Sequence, residues 1–127
     1  MPPETLVIKE IHPPTGYSHA VRAGKTVYLA GQVAKDASGT AVGLGDIDAQ
    51  ARQAYANLWE IVRQVGGTWA NVAKTTVYLT DARFVEPFRA VRREVLGSHE
   101  PPSTLLIVTG LAAPELLVEI EAIVVLD

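Results

Sequence analysis

Cysteine is absent from the 127 residues of this chain. Its absence excludes disulfide bonds, thiolate nucleophiles and cysteine-ligated zinc, and it fits a protein of the reducing cytoplasm. Histidine is scarce as well. His12, His19 and His99 lie far apart without ligand spacing, so we expect no metal site. No histidine forms a recognisable nucleophile motif with Ser103, which argues against a hydrolase triad.

Positive charge is in deficit. The 11 lysines and arginines face 14 aspartates and glutamates, which leaves a net charge of −3. A chain with this balance does not attract phosphate backbones as a whole, so we do not expect a nucleic-acid partner without a local basic patch. The one dense basic group is Arg89, Arg92 and Arg93, which we interpret as the solvated face of a helix.

Long apolar runs are also lacking. No segment approaches the roughly 18 apolar residues of a membrane span. The amino-terminal stretch MPPETLVIKE has no basic region followed by an apolar one, as a secretion signal would. We therefore expect a cytoplasmic protein that does not bind a membrane.

The composition that is present predicts one globular domain over residues 1–127, because 48% of the residues are hydrophobic and 20% are charged. Apolar periodicity and turn residues predict the order β-β-β-α-β-α-β-β, a mixed sheet of the α+β class with two helices on one face. The predicted strands cover residues 6–8, 18–22, 25–34, 74–80, 104–109 and 116–126, and the predicted helices cover 46–65 and 84–95.

The last predicted strand is apolar on both faces. Residues 118, 120, 122, 124 and 126 share one side, and Leu117, Ile123 and Val125 share the other with two glutamates. A strand with two apolar sides is typical of a sheet that is covered on both faces. Since the two helices cover only one face, we expect another copy of the chain to cover the other and form a homo-oligomer.

Glu119 and Glu121 are the most informative polar pair, because period-two geometry places both on that second face. Either the two carboxylates reach water at a strand end, or at least one lines a cleft between subunits. A partly desolvated carboxylate has a raised pKa and can act as a general base on water. Tyr17 on a Pro- and Gly-rich loop and Gly31 within AGQV are weaker candidates for ligand contact.

Several segments together resemble the RidA (reactive intermediate deaminase) family, also called YjgF-like or L-PSP-like. They are GYSHAV at 16–21, VYLAGQV at 27–33, DIDAQARQAYANLWEIVRQVGG at 46–67, VAKTTVYLTD at 72–81, the proline corner at 101, and LLVEIEAIVV at 116–125. The resemblance implies a chorismate-mutase-like α+β fold. It also implies a homotrimer in which the sheets line a central barrel and three ligand clefts lie between neighbouring subunits.

The resemblance also implies an activity, the hydrolysis of reactive enamines and imines to keto acids and ammonia without a cofactor. Carried over by position, Glu119 assists the attacking water as the catalytic residue. Tyr17 and the backbone around Gly31 and Gln32 complete the substrate-binding pocket.

Two positions depart from the family pattern. Ser103, followed by Thr104, stands where the family has an arginine that grips the substrate carboxylate, and Glu86 replaces an asparagine that opens the second helix. A neutral hydroxyl cannot form the bidentate ion pair. Either another cation such as Arg89 reaches the corner, or the ligand is not a 2-imino carboxylate.

Three functions follow from these observations. The chain is an imine or enamine hydrolase of altered specificity, or it is a trimer that binds a small metabolite without turnover, which the serine at 103 favours. The ribonuclease or translation-inhibitor activity attached to the family by name is least favoured, because the chain is acidic and no histidine pair is apparent.

Overall fold

Residues 2–127, which the computed structural model describes, form a six-stranded sheet in the order β1-β2-β3-β6-β4-β5, with two α-helices. Neighbouring strands are antiparallel except β4 and β5, which are parallel and are joined through α2. The predicted α+β class and element order are confirmed. The elements are β1 Glu4–Leu6, β2 Ala20–Ala23, β3 Thr26–Gln32, α1 Ile47–Gln64, β4 Val72–Leu79, α2 Val85–Leu96, β5 Ser103–Ile107 and β6 Val118–Val125.

Helix α1 begins and ends at sequence signals. The side chain of Asp46 accepts a hydrogen bond from the backbone N–H of Ala49, which caps the amino terminus. Gly66, with φ of 95°, turns the chain away after the helix. The observed helix agrees with the predicted 46–65 to within one residue at each end. Within residues 2–127, neither helix could span a bilayer.

The core lies between the helices and one face of the sheet. In β6, Val118, Ile120, Ala122 and Val124 are buried against α1, whereas the intervening side chains are only partly covered. This alternation confirms that both helices pack on one face. The opposite face, called here the open face, carries the exposed apolar side chains of Tyr28, Leu106 and Val125.

The open face is more polar than the pattern of β6 suggests, because the neighbouring strands β4 and β5 contribute polar side chains to it. Thr76 pairs with Glu121 in β6 and with Thr104 in β5, and Lys74 pairs with Ile123. Cross-strand partners point to the same side of a sheet. The surface left uncovered by the helices is therefore a mixed apolar and polar face rather than a second core.

Strand β1 differs from the prediction, since it covers Glu4–Leu6 and not residues 6–8. Beyond Leu6 the chain leaves the sheet, and Val7 is 82% exposed. The Gln64 amide of α1 accepts from the Lys9 N–H at 2.9 Å and donates to the Lys9 carbonyl at 2.7 Å. Hydrogen bonding to a helix side chain therefore replaces strand pairing at this point.

Strand β6 begins two residues later than predicted, because a second glutamine holds the segment before it. Gln50, fully buried in α1, accepts from the Leu117 N–H at 2.8 Å and donates to the Glu115 carbonyl at 2.8 Å. These bonds fix where the chain enters β6. They therefore also fix the position of Glu119, the second residue of that strand.

Candidate functional site

A cavity of about 610 Å³ opens between the 12–17 loop, the end of β3, the 38–39 turn and the start of β6. Tyr17, Gly31 and Glu119 all line it, and we call it the Glu119 cleft. Its size is within the range of small-molecule sites. The fold thus brings together three of the residues selected from the sequence, which come from separate segments of the chain.

Gly31 makes room for the Glu119 side chain. A Cβ added to Gly31 would collide with Oε2 of Glu119 and would lie 2.8 Å from its Cδ. The register of β3 against β6 also shifts between Leu29 and Gln32, so Gly31 sits in a bulge. The Glu119 carboxylate therefore fills the space that a side chain at position 31 would need, and it forms part of the cleft wall.

Glu119 is half-buried, and burial is the main cause that raises its pKa above the ordinary 4.5. The negative charge of Glu121 raises the pKa further. Glu121 itself accepts a hydrogen bond from the Tyr78 hydroxyl at 2.6 Å. No hydrogen bond within residues 2–127 stabilises the charged form of Glu119. A carboxylate whose pKa is raised in this way takes a proton from water more readily than an exposed glutamate does.

Tyr17 stands at the mouth of the cleft with 48% of its surface exposed. Its ring contacts His19 edge-to-face, with 5.7 Å between the ring centroids. Burial and the nearby charge of Glu119 both raise the pKa of the Tyr17 hydroxyl. The phenol therefore keeps its proton and can donate a hydrogen bond to a ligand.

Gln32 does not line the Glu119 cleft. Its side chain is fully buried behind the wall, with Oε1 3.2 Å from His12 Nε2 and Nε2 3.1 Å from His19 Nδ1. Because the amide nitrogen can only donate, His19 Nδ1 accepts and its Nε2–H donates to the His12 carbonyl at 2.8 Å. Gln32 thus supports the loop that carries Tyr17, and its contact with substrate stays a prediction.

The inference that the histidines are isolated was wrong. The rings of His12 and His19 are in T-shaped contact with 4.9 Å between centroids, because the β2–β3 pairing places His19 beside Ala30 and Gln32. Sequence spacing gave no signal of this contact. His12 lines the cleft, and burial lowers its pKa. No group of three metal-ligating side chains forms within residues 2–127.

The proline corner lies away from the Glu119 cleft of the same protomer. Ser103 pairs with Thr75, whose side chain is on the helix side, whereas Glu119 pairs with Tyr78 on the open face. The Ser103 oxygen accepts from the Thr75 hydroxyl at 2.9 Å. Thr104, the next residue, is on the open face and accepts from Lys74 Nζ at 2.7 Å. One protomer therefore does not bring Ser103 and Glu119 to one ligand.

Ser103 instead borders a second cavity of about 580 Å³ on the helix side. Arg89, Arg92 and Arg93 of α2 form one wall, and Thr75 and Ser103 form the other. We call it the arginine cavity. Arg89 and Arg93 are exposed and Arg92 is partly buried, which agrees with the predicted solvated face, and all three side chains border this one cavity.

Glu86 lies on the exposed surface of α2 and accepts from Arg89 Nη1 at 2.8 Å. The pair is three residues apart on the helix, and both side chains are largely exposed. Glu86 does not border the Glu119 cleft of its own protomer, and its predicted substrate contact is not made within one chain.

The chain resembles known proteins over nearly its full length. The family model described as Endoribonuclease L-PSP matches residues 7–126. A RutC family protein from Sulfurisphaera tokodaii is 31% identical over 121 residues, covering 94% of this chain and 96% of the relative. The human protein named 2-iminobutanoate/2-iminopropanoate deaminase is 31% identical over 109 residues, covering 86% and 79%. The crystal structure of YyfA from Yersinia pestis, described as a protein of unknown function of the conserved Rid family, aligns with TM-score 0.92 and 26% identity over 98% of this chain and all of the other.

Replacing Gly31 with alanine should displace the Glu119 carboxylate, because the new Cβ would occupy its position. We expect the pKa of Glu119, followed by carboxyl-carbon NMR, to fall towards 4.5. Overpacking should lower the free energy of unfolding by about 1–3 kcal/mol. Gly110→Ala is the matched control, since a Cβ there meets nothing within 4 Å. An unchanged Glu119 pKa in Gly31→Ala would contradict the packing described.

Glu119 should also give the unfolding free energy a recognisable pH dependence. Because its pKa is raised in the folded state, the folded protein binds the proton more tightly, and stability falls as the pH rises from 4.5 through the folded-state pKa. Glu119→Gln should therefore be more stable than the original chain at pH 7, and the gap should close below pH 4.5. Denaturant titrations at several pH values measure this.

Asp81→Asn is the control of opposite sign. Hydrogen bonds from Arg83 hold the pKa of Asp81 at about 2, below its ordinary 3.8. The contribution of Asp81 to the free energy of unfolding is therefore present at neutral pH and is lost as the pH falls from 3.8 to about 2. If Glu119→Gln destabilised the protein at pH 7 as Asp81→Asn should, Glu119 would not be desolvated.

Proposed function

Since this chain belongs to the endoribonuclease L-PSP family, which includes the RidA and YjgF proteins, we propose that it hydrolyses reactive imines or enamines to carbonyl compounds and ammonia. Glu119 is the catalytic residue in this proposal, and the reaction takes place in the Glu119 cleft. The observation that carries it is the half-buried carboxylate over Gly31, which points into a cavity of metabolite size and has no competing hydrogen bond within residues 2–127.

The chemistry requires one group that takes a proton and later returns it. The Glu119 carboxylate removes a proton from water as the water oxygen bonds to the carbon of a protonated imine, which gives a carbinolamine. The protonated Glu119 then gives its proton to the amine nitrogen. The C–N bond breaks as the carbonyl forms, the hydroxyl proton passes to Glu119 or water, and ammonia leaves. An enamine enters the sequence after taking a proton on carbon.

Tyr17 and Gly31 position the substrate in this scheme. The Tyr17 phenol keeps its proton and can donate to the imine substrate or to the developing hydroxyl. The raised pKa of Glu119 serves both halves of the reaction, because a desolvated carboxylate is a stronger base towards water and its protonated form can return the proton to the nitrogen.

The cleft is completed by a second copy of the chain in a homotrimer. Ser103 and Thr104 open β5, the edge strand of the sheet, where a neighbouring subunit can bring them against its own Glu119. The exposed Tyr28, Leu106 and Val125 on the open face support such burial between copies. A trimer with three clefts between neighbouring subunits would bring Ser103 and Thr104 to Glu119, although these residues lie apart within one protomer.

Ser103 makes the specificity of this chain differ from that of a 2-imino acid deaminase. A charge-assisted hydrogen bond contributes about 1.5–3 kcal/mol, and a serine hydroxyl supplies no positive charge to a carboxylate. The substrate proposed is therefore an imine without an adjacent carboxylate. The lack of cysteine also supports a cytoplasmic place for this activity.

The alternative is a trimer that binds a metabolite in the same cleft without turnover, and Ser103 is the observation that favours it. A ribonuclease activity is not proposed. His12 and His19 do form a pair, but both are buried, and both ring nitrogens of His19 are already engaged, by the Gln32 amide and the His12 carbonyl.

Turnover should depend on Glu119 and substrate preference on Ser103. We expect the protein to accelerate hydrolysis of a carboxylate-free imine, generated in situ by an amine oxidase, and Glu119→Gln to lose about 100-fold or more of that rate. Ser103→Arg should shift preference towards 2-iminobutanoate, generated by a threonine dehydratase, by about tenfold or more. Ammonia release measures both reactions.

Glu94→Gln is the control, since this carboxylate is paired with Arg52 on the helix surface and should leave the rates unchanged. If only Ser103→Arg is active, the catalytic cleft is intact but the native ligand is of another class. If neither protein releases ammonia, the enzyme proposal fails and the binding alternative takes its place.

A charge on the open face should prevent assembly. Leu106 is 44% exposed, so Leu106→Glu is tolerated in an isolated subunit but would bury an unpaired carboxylate between copies. We expect a trimer for the original chain and smaller species for the variant by sedimentation velocity. Leu44→Glu, at a loop site 69% exposed, should remain trimeric. A monomeric original chain would refute a shared cleft.

A further inference from the structure

We propose that His12 presents an unprotonated Nδ1 to the Glu119 cleft, where this nitrogen accepts a hydrogen bond from an N–H group of the ligand. His12 borders the cleft with Tyr17, but it takes no part in the proton transfers described for Glu119. The role of His12 rests on the proposed function, since the ligand is an imine held in the same cleft.

The side-chain amide of Gln32 has one orientation that satisfies its neighbours. Its Nε2 lies 3.1 Å from His19 Nδ1 and donates to the Ala30 carbonyl at 3.3 Å. With the amide turned round, Oε1 would face the oxygen of that carbonyl, and neither atom could donate. His19 would also need a proton on both ring nitrogens, because its Nε2 already donates to the His12 carbonyl at 2.8 Å. The amide oxygen of Gln32 therefore faces His12.

The orientation of Gln32 fixes the tautomer of His12. Gln32 Oε1 lies 3.2 Å from His12 Nε2, and an amide oxygen can only accept. Nε2 therefore carries the proton, and in the neutral ring Nδ1 keeps a free lone pair. Burial is the main cause that lowers the pKa of His12 below its ordinary 6.5, and the charges of His19 and Lys35 lower it further, so the ring is neutral at pH 7.

The Nδ1 atom of His12 is accessible to a ligand. Within residues 2–127, it has no hydrogen-bond partner, and no fully buried side-chain nitrogen or oxygen lacks one. Nδ1 is therefore not fully buried, although only 4% of the residue is exposed. The cavity that His12 borders is the Glu119 cleft, so a ligand in this cleft can reach Nδ1.

The polar groups of the cleft select the ligand. Glu119 and His12 Nδ1 both accept hydrogen bonds, whereas the Tyr17 hydroxyl and the Lys35 ammonium donate them. A nitrogen that carries two hydrogens, as in a protonated primary imine, can donate to both acceptors. An imine nitrogen with an alkyl group offers at most one hydrogen, and it leaves a desolvated acceptor without a partner. The cleft therefore favours primary imines, whose hydrolysis releases ammonia.

A purely structural role for His12 explains only one of its two ring nitrogens. The bond from Nε2–H to Gln32 supports the loop that carries Tyr17, but nothing in the described part of the chain engages Nδ1. Substitutions can separate the two roles, because they depend on different atoms of the ring. His12→Asn can keep an acceptor at the position of Nδ1, whereas His12→Gln can keep a donor at the position of Nε2.

The test uses the full chain with two cations, acetamidinium, which carries N–H groups, and tetramethylammonium, which has none. Acetamidinium should bind about tenfold or more tighter, and nitrogen NMR should show the His12 Nδ1 signal moving more than either ring signal of His19. His12→Gln should weaken acetamidinium binding about tenfold or more, and His12→Asn by less than about threefold. His99→Gln, which changes a histidine away from the cleft, is the matched control and should bind as the original chain does.

A reversed order of the two variants, with binding lost in His12→Asn and kept in His12→Gln, would mean that only the bond to Gln32 matters and would overturn the inference. So would a proton on Nδ1 instead of Nε2 in the ligand-free chain, equal affinity for the two cations, or no binding of either. If both variants bind weakly or do not fold, the nitrogen signals of the original chain decide. Acetamidinium binding that moves Nδ1, without ammonia release from any imine, would remove the proposed hydrolysis and leave nitrogen recognition by His12 in place.

Discussion

The position of the Glu119 carboxylate, in the space that a Cβ on residue 31 would occupy, is the constraint on which the site depends. A residue with a Cβ at 31 would expel the carboxylate, and an exposed carboxylate would lose the desolvation that raises its pKa. Holding the two together requires the β3 bulge on one side and the Gln50 bridge at the entry to β6 on the other. The reactivity of one side chain thus rests on backbone geometry set in three separate elements.

Elements with strong local periodicity could be predicted from the sequence, and those decided by distant partners could not. Helix α1 carries its own cap and stop, and β6 alternates regularly, so both were placed to within two residues. Strand β1 was misplaced because Gln64, 55 residues away, binds the backbone of Lys9. No local signal in the sequence around Lys9 indicates that bond.

The same distinction applies to the site. Glu119, Tyr17 and Gly31 were found through period-two geometry and the family resemblance, and the fold brings them to one cleft. The contact of His12 and His19 was missed because it depends on the β2–β3 pairing and on Gln32. The convergence of the α2 arginines on a cavity was missed for a related reason. Their spacing was visible, but the wall that faces them comes from β4 and β5.

The strand order has a consequence for synthesis of the chain. β6 lies at the centre of the sheet, yet it is made after the other five strands, and it alone joins β1-β2-β3 to β4-β5. Until it leaves the ribosome, the emerging chain holds two partial sheets whose inner edges, β3 and β4, are unpaired. Such edges are prone to aggregate, and closing the sheet by pairings so distant in sequence is slow. A chaperone that shields exposed strands during translation would therefore protect this protein most in the interval before residue 118 emerges.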